Sequence, residues 1–100
     1  MGDYDILSHV ETPECSIRII GMKETEQVAL HYHEKCAQVY TVLENEVEAQ
    51  VDDRTMRLRP YETVHIEKGV RHGVRAVKGA ALVMSLSIPP LDRNDQLVAE

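Results

Sequence analysis

Two histidines stand two residues apart in the stretch HYHEKCAQ, which runs from His31 to Gln38. In a β-strand, residues i and i+2 point to the same face, so His31 and His33 are expected to project together. Paired imidazoles fill an apolar core poorly, whereas imidazole is a common ligand of Zn, Fe, Ni, Cu and Mn. The spacing therefore predicts the beginning of a metal site.

Two later residues extend this set of candidate ligands. Gln38 offers an amide oxygen from the next predicted strand, and His72 supplies a third imidazole from the stretch EKGVRHG. Four protein ligands would leave two positions of an octahedral ion open to water or substrate. Two alternatives stay open: Gln38 lies beside a three-histidine site without binding, or the polar cluster holds no metal and hydrogen-bonds inside a sugar or acid pocket.

Other polar residues are candidates for the wall of the same pocket. Tyr40 follows Gln38 by two residues and should share its face, either as a hydrogen-bond donor or acid or as a packed tyrosine. Ser85 and Ser87 alternate with apolar residues on the last long strand and are predicted to form a polar wall. Arg93 in the C-terminal tail could hold an acid group at the pocket mouth, although a solvated tail is the default interpretation.

Three residues with reactive side chains receive structural interpretations. His65 lies in the strand pattern TVHIE, between two apolar residues, and is expected at the surface or an interface. Cys15 and Cys36 show no pairing pattern and are interpreted as free thiols in a reducing cytoplasm. Cys36 precedes Gln38 by two residues, so a thiol at the pocket rim or a simple buried cysteine is expected there.

Composition limits the class of protein. One hundred residues suit one domain, taken as residues 1–100, and the net charge of −6 argues against nucleic acid as a partner. No apolar run approaches the ~20 residues that span a bilayer. The acidic N-terminus lacks the basic start and apolar middle of a secretory signal. We therefore expect a cytoplasmic protein with a small-molecule ligand or substrate and no membrane or nucleic-acid partner.

The elements that must position these residues are short alternating runs closed by turn residues. Examples are SIRIIGM, EQVALHYH, AQVYTVLE, EVEAQVDD and AALVMSLSI. About eight such strands, with no sustained helical period except in the final NDQLVAE, predict a small closed or two-sheet β-barrel. In EQVALHYH, simple alternation places Val28 on the opposite face from His31. The N-terminus around His9 is expected to be irregular, and the tail is expected to pack outside the barrel.

The same residues resemble the cupins, small β-barrels defined by two motifs. HYHEKCAQVYTVLEN keeps the HxH of the first motif, with Gln38 at the Glu position and Asn45 at the Gly position. Asn tolerates the positive φ that a turn there requires. RPYETVHIEKGVRHG resembles the second motif and keeps its Pro60, Gly69 and His72. It departs from that motif where Gly, Asp and Pro are replaced by Tyr61, Glu62 and Glu67.

This resemblance, which covers about residues 16–90, implies a fold, a ligand set and several functions. The fold is an all-β double-stranded β-helix, or jelly-roll barrel, of the RmlC-like cupin superfamily. The implied ligands of one divalent transition metal (Fe, Mn, Ni or Zn) are His31, His33, Gln38 and His72. The implied activities are Lewis-acid isomerisation, ring opening or cyclisation of a small acid, sugar or enol, a non-haem iron dioxygenase, or ligand binding without catalysis. A homodimer is also expected, with residues 4–20 adding a strand to a partner.

The amide at position 38 affects the chemistry of such a site. A Glu would lower the net charge of a divalent centre to about +1, whereas Gln38 leaves it at about +2. The ion should then be held less tightly but remain a stronger Lewis acid. Some sugar-related cupins resemble this chain in having an amide there, including small ones associated with the opening of unsaturated uronates.

Overall fold

A computed structural model describes residues 4–24 and 26–98 of the chain. These residues form two antiparallel sheets of five strands each, and the order of the strands is β1-β2-β9-β4-β7 in the first sheet and β10-β3-β8-β5-β6 in the second. The strands are β1 Asp5–Glu11, β2 Ser16–Met22, β3 Gln27–Tyr32, β4 Ala37–Glu44, β5 Val47–Val51, β6 Arg54–Leu58, β7 Thr63–Ile66, β8 His72–Ala76, β9 Ala81–Ile88 and β10 Leu97–Val98. The predicted all-β barrel of two sheets is confirmed.

Two strands extend the predicted set, one at each end of the chain. The N-terminus around His9, expected to be irregular, is strand β1, which pairs with β2. The tail, expected to pack outside the barrel, forms a short 3₁₀ turn over Arg93–Asp95 and then strand β10, which pairs with β3. Both expectations were wrong because a strand at a sheet edge is specified by its hydrogen-bonding partner and not by a strong apolar alternation of its own.

The interior of the barrel changes from polar to apolar along its length. Neighbouring strands bring Ser16, Ser87 and Gln38 into one inward row, and Ile20, Val83 and Val42 into another row two steps away. All of these residues are buried. The apolar row belongs to a core between the sheets, which holds the fold together by the removal of aliphatic surface from water. The polar end is not part of this apolar core, so its side chains can form a functional site.

One strand face was predicted wrongly, and the cause is a β-bulge. Val28 pairs with Val74 and His31 pairs with His72, so β3 has one residue more than β8 between these two pairs. A bulge reverses the alternation of side chains. Val28 and His31 consequently both point inward and are both buried. Gly73 lies opposite the bulge, where a Cβ atom would stand 3.0 Å from the carbonyl oxygen of Val28.

The outer faces of the two sheets differ in character. On the first sheet, the paired residues Val10, Ile17, Leu86 and Val39 form an apolar row across four strands. On the second sheet, several outward side chains are charged and form ion pairs such as Arg75–Glu48 at 2.9 Å. Strand β1 is exposed along its whole length, including its apolar residues. The first sheet therefore presents an apolar surface that its own chain leaves uncovered among the described residues.

Candidate metal centre

Three histidine rings meet at the polar end of the barrel. His31 lies on β3, His33 directly follows β3, and His72 begins β8. The ring centroids are 4.2 Å apart for His31 and His72, 4.8 Å for His31 and His33, and 5.3 Å for His33 and His72. Each residue is at most 2% exposed. Because the candidate ligand nitrogens lie within 4.8 Å of one another, the three rings can hold one metal ion.

The turn before β8 joins the two motif regions of the chain. Gly69 has a φ of 79°, which glycine adopts without strain, and its amide donates to the carbonyl of His33 at 2.6 Å. The turn thus connects the residue that follows β3 to the segment that contains His72.

A second turn has the backbone geometry that the first motif predicts. Asn45, which directly follows β4, has a φ of 61°, in agreement with the positive φ expected at the Gly position of the motif.

Hydrogen bonds to the backbone fix the proton of each ring. The three Nδ1 atoms lie close to carbonyl oxygens of Ala29 (2.7 Å, from His31), Asp95 (2.6 Å, from His33) and Val70 (2.9 Å, from His72). A carbonyl oxygen only accepts, so each Nδ1 donates, and in a neutral ring the lone pair is then on Nε2. Nitrogen lone pairs held in this way are typical of metal-binding histidines.

The electrostatics of the cluster keep two of the rings neutral. Burial lowers the pKa of His31 to about 4, although its bond to the Ala29 carbonyl acts in the opposite direction. Burial likewise lowers the pKa of His72 to about 3, with smaller contributions from the other two histidines. Both imidazoles are therefore unprotonated at neutral pH. Only the neutral ring can donate a lone pair to a metal.

One buried nitrogen and one close contact in the cluster are suited to a cation. His33 Nε2 is buried and has no hydrogen-bond partner among residues 4–24 and 26–98. His72 Nε2 lies 2.8 Å from Gln38 Oε1, but the proton of His72 is already on Nδ1, so this contact joins two acceptors. An unpaired buried acceptor is costly. A positive ion between these atoms would satisfy all of them, so the residues present fit a bound metal.

The Gln38 side chain is oriented by its neighbours. Its amide nitrogen donates to Ser87 Oγ at 2.9 Å, and its Oε1 accepts from the Tyr40 hydroxyl at 3.1 Å. With these contacts in place, Oε1 lies 2.8 Å from His72 Nε2. Burial raises the pKa of the Tyr40 hydroxyl above its ordinary value, so Tyr40 stays protonated and acts as a donor. Ser85 is buried and pairs with Tyr40 on the adjacent strand.

A cavity of about 20 Å³ adjoins the rings of His31 and His33. Tyr4 from the N-terminus and Leu91 and Gln96 from the tail complete its wall. A space of this size accepts about one water molecule. Anything larger would require these covering segments to move.

Sequence reasoning missed two residues beside the cluster. Asp95 is buried and binds His33, and Arg18 lines the cavity in register with Ser85. Neither follows a motif, because Asp95 meets its partners across about 60 positions of sequence and Arg18 interrupts an apolar strand. The side chain of Arg93, which was considered for the pocket mouth with a solvated tail as the default, lies outside the described part of the structure. His65 is exposed on β7, and Cys36 is buried.

No helix in the described residues is long and apolar enough to cross a membrane.

Comparisons with known proteins define the fold. The family model for the cupin domain matches residues 18–89, whereas curated protein sequences give no match. The chain is similar to KdgF from Halomonas sp., with a TM-score of 0.82, 21% identity and coverage of 90% of this chain and 88% of that chain. An uncharacterised double-stranded β-helix protein from Klebsiella pneumoniae gives a TM-score of 0.82, 17% identity and coverage of 99% and 84%.

A third similar structure belongs to a longer protein. DMSP lyase DddQ from Ruegeria pomeroyi has a TM-score of 0.78 and 18% identity, with coverage of 88% of this chain but 44% of that chain. At these identities, the structural similarities show the fold alone. They confirm the predicted double-stranded β-helix.

Proposed function

Because the chain belongs to the cupin domain family, we propose that it is a metal-dependent cupin that acts on a small organic acid, sugar, or enol or carbonyl compound. The observation that carries the proposal is the buried Nε2 of His33, which has no hydrogen-bond partner among the described residues, beside the close contact of His72 Nε2 with Gln38 Oε1, both of which a cation would satisfy. His31 adds a further nitrogen. Fe, Mn, Ni and Zn all accept this mixture of imidazole and amide ligands.

The surroundings of the centre suit proton transfer on a small polar molecule. A divalent ion bound there would supply a Lewis acid towards a carbonyl or enolate oxygen. Tyr40, protonated and already a donor to Gln38 Oε1, can donate to a substrate oxygen at the same place. Arg18 borders the cavity in the same cross-strand row and offers a cation to a carboxylate. These roles support isomerisation, ring opening or elimination. A structural neighbour named as a DMSP lyase supports the last of these.

A second function, ligand binding without turnover, would use the same polar lining of Gln38, Tyr40 and Ser85. A cavity of about 20 Å³ is far below the volume of a typical ligand pocket, so either function requires the segments that cover it to move. Proton NMR of a panel of small organic acids, sugar acids and enols, incubated with metal-loaded protein, separates the two functions. Conversion by the parent and not by His72→Ala supports an enzyme. Binding without conversion supports the second function, and the absence of both contradicts the two proposals.

Replacing Gln38 with Glu is expected to tighten divalent metal binding about tenfold, because the carboxylate lowers the net charge of the centre by one. The Ser87 hydroxyl can donate to the new carboxylate, so the fold should persist. Competition with a chelating dye measures the change. Gln50→Glu is the matched control, since Gln50 is exposed on β5 and receives the same charge. Equal affinities in both variants would show that Gln38 is not a ligand.

We also propose that the chain forms a homodimer through the outer face of its first sheet. The apolar row of Val10, Ile17, Leu86 and Val39 faces outward beside the exposed edge strand β1. An apolar, uncharged face is complementary to itself, as a two-fold interface requires. Val10→Lys should halve the molar mass measured by light scattering while the far-ultraviolet circular dichroism spectrum stays that of the parent, because Val10 is already 55% exposed and its loss leaves the interior unchanged. A monomeric parent would contradict the proposal.

A further inference from the structure

The C-terminal segment contains a buried acid that the proposed chemistry does not use. Asp95 ends the 3₁₀ turn and is 3% exposed. Its Oδ1 accepts from the backbone N–H of Glu34 at 2.9 Å, and its Oδ2 accepts from that of Lys35 at 2.8 Å. Burial of a carboxylate is costly unless it is hydrogen-bonded, and here both oxygens are. Asp95 therefore attaches the tail to the turn between β3 and β4.

The same residue also binds a candidate metal ligand. The Asp95 carbonyl accepts from His33 Nδ1 at 2.6 Å, which leaves the Nε2 lone pair of His33 for the centre. The other two histidines bind carbonyls of residues two positions before them, so neighbouring residues of the same segment orient them. His33 differs because its acceptor is 62 positions away in the sequence. The orientation of this one ring depends on the tail.

We propose that Asp95 is a positioning residue of the metal centre. Its carboxylate fixes the turn at Glu34 and Lys35, and its carbonyl fixes the ring of His33. Strand β10 holds the tail in place on the far side, since Val98 pairs with His31 on β3. This inference rests on the proposed function insofar as the ring is oriented for a metal.

A competing role for Asp95, as a ligand itself, is disfavoured by its contacts. His33, Cys36 and Asp95 lie close enough to form a second set of potential ligands. Both carboxylate oxygens of Asp95 are already bound to backbone N–H groups, however. Positioning of the turn and of the His33 ring accounts for all three hydrogen bonds that Asp95 accepts.

Asp95→Asn tests the proposal with little change in shape. The variant places an amide NH₂ against one backbone N–H of the turn, so two donors oppose each other, while the carbonyl of residue 95 remains. We expect divalent metal affinity to fall about 10- to 100-fold, as is usual when a group that orients a ligand is lost. In the metal-free protein, ¹⁵N NMR of the His33 ring should change from one tautomer with the proton on Nδ1 to a mixture.

A matched variant separates orientation from general loss of stability. Val47→Ala creates a cavity in the apolar end of the barrel, where Val47 is fully buried, and should lower the melting temperature while leaving metal affinity unchanged. If the Asp95→Asn variant had the same metal affinity and the same His33 tautomer as the parent, the proposal would be overturned. A parent that binds no metal would refute the proposed function. The tautomer of His33 would then still decide whether Asp95 orients the ring.

Discussion

Replacing His72 with alanine is expected to weaken divalent metal binding by at least about a hundredfold. Loss of a group that merely orients a ligand already costs about 10- to 100-fold, and the loss of a ligand should cost more. His72 is also the ring whose Nε2 faces Gln38 Oε1, so the variant removes one of the two acceptors that a cation would join. Isothermal titration calorimetry, with metal added to the metal-free protein, measures the affinity.

The histidine at position 65 provides the control for this substitution. His65 is exposed on β7 and faces away from the cluster, so His65→Ala should bind metal as the parent does. His72→Ala should also remain folded, because an unpaired buried polar contact disappears with the ring. If both variants bound metal as tightly as the parent, the centre described here would not be the binding site.

Gly73→Ala is expected to have the second large effect, on stability and metal binding together. The new Cβ would stand 3.0 Å from the Val28 carbonyl oxygen and 3.2 Å from the Leu30 amide nitrogen, both of which are backbone atoms. Overpacking of this kind costs about 1–3 kcal/mol. The melting temperature should therefore fall by roughly 5–15 °C. Because the bulge turns His31 inward, a shifted bulge should also weaken metal binding.

Gly21→Ala is the matched control for the bulge. Gly21 also lies within a strand, but its nearest contact would be the tip of the Leu7 side chain at 3.1 Å, which can move. Replacing Gly with Ala in a compatible conformation stabilises the folded state by about 0.4–1 kcal/mol, because it reduces the conformational entropy of the unfolded chain. Thermal melts followed by circular dichroism should thus give Gly21→Ala a melting temperature equal to or higher than that of the parent. Equal melting temperatures for the two variants would contradict the account of the bulge.

The fold could be predicted from the sequence because strand alternation and motif spacing are local signals. His31 and His33 share a face by simple two-residue periodicity, and Gly69 shapes the turn that brings His72 to them. The bulge in β3 was not predicted, because its signal lies on the partner strand. Gly73 is a glycine within a strand, which often marks a close backbone approach.

Other parts of the site could not be predicted because they depend on long-range contacts. The bond between Asp95 and His33 joins the tail to the end of β3, and no local pattern in either segment indicates the partner. Arg18 is one cation on an otherwise apolar strand, and its place at the cavity follows only from the register of β2 with β9. The orientation of the three histidine rings likewise could not be predicted, because it depends on the positions of the backbone carbonyl oxygens that accept from Nδ1.

The metal-to-protein ratio tests the central claim most directly. Untagged protein, loaded in turn with Fe(II), Mn(II), Ni(II) and Zn(II) and then desalted, should retain about one ion per chain of at least one metal by mass spectrometry. Retention should disappear in His72→Ala. If the parent retained less than about one tenth of an ion per chain with all four metals, the buried lone pairs of His33 and Gln38 would have another explanation. The barrel would then be a metal-free polar pocket, with the Gln38 amide reversed so that its nitrogen donates to His72.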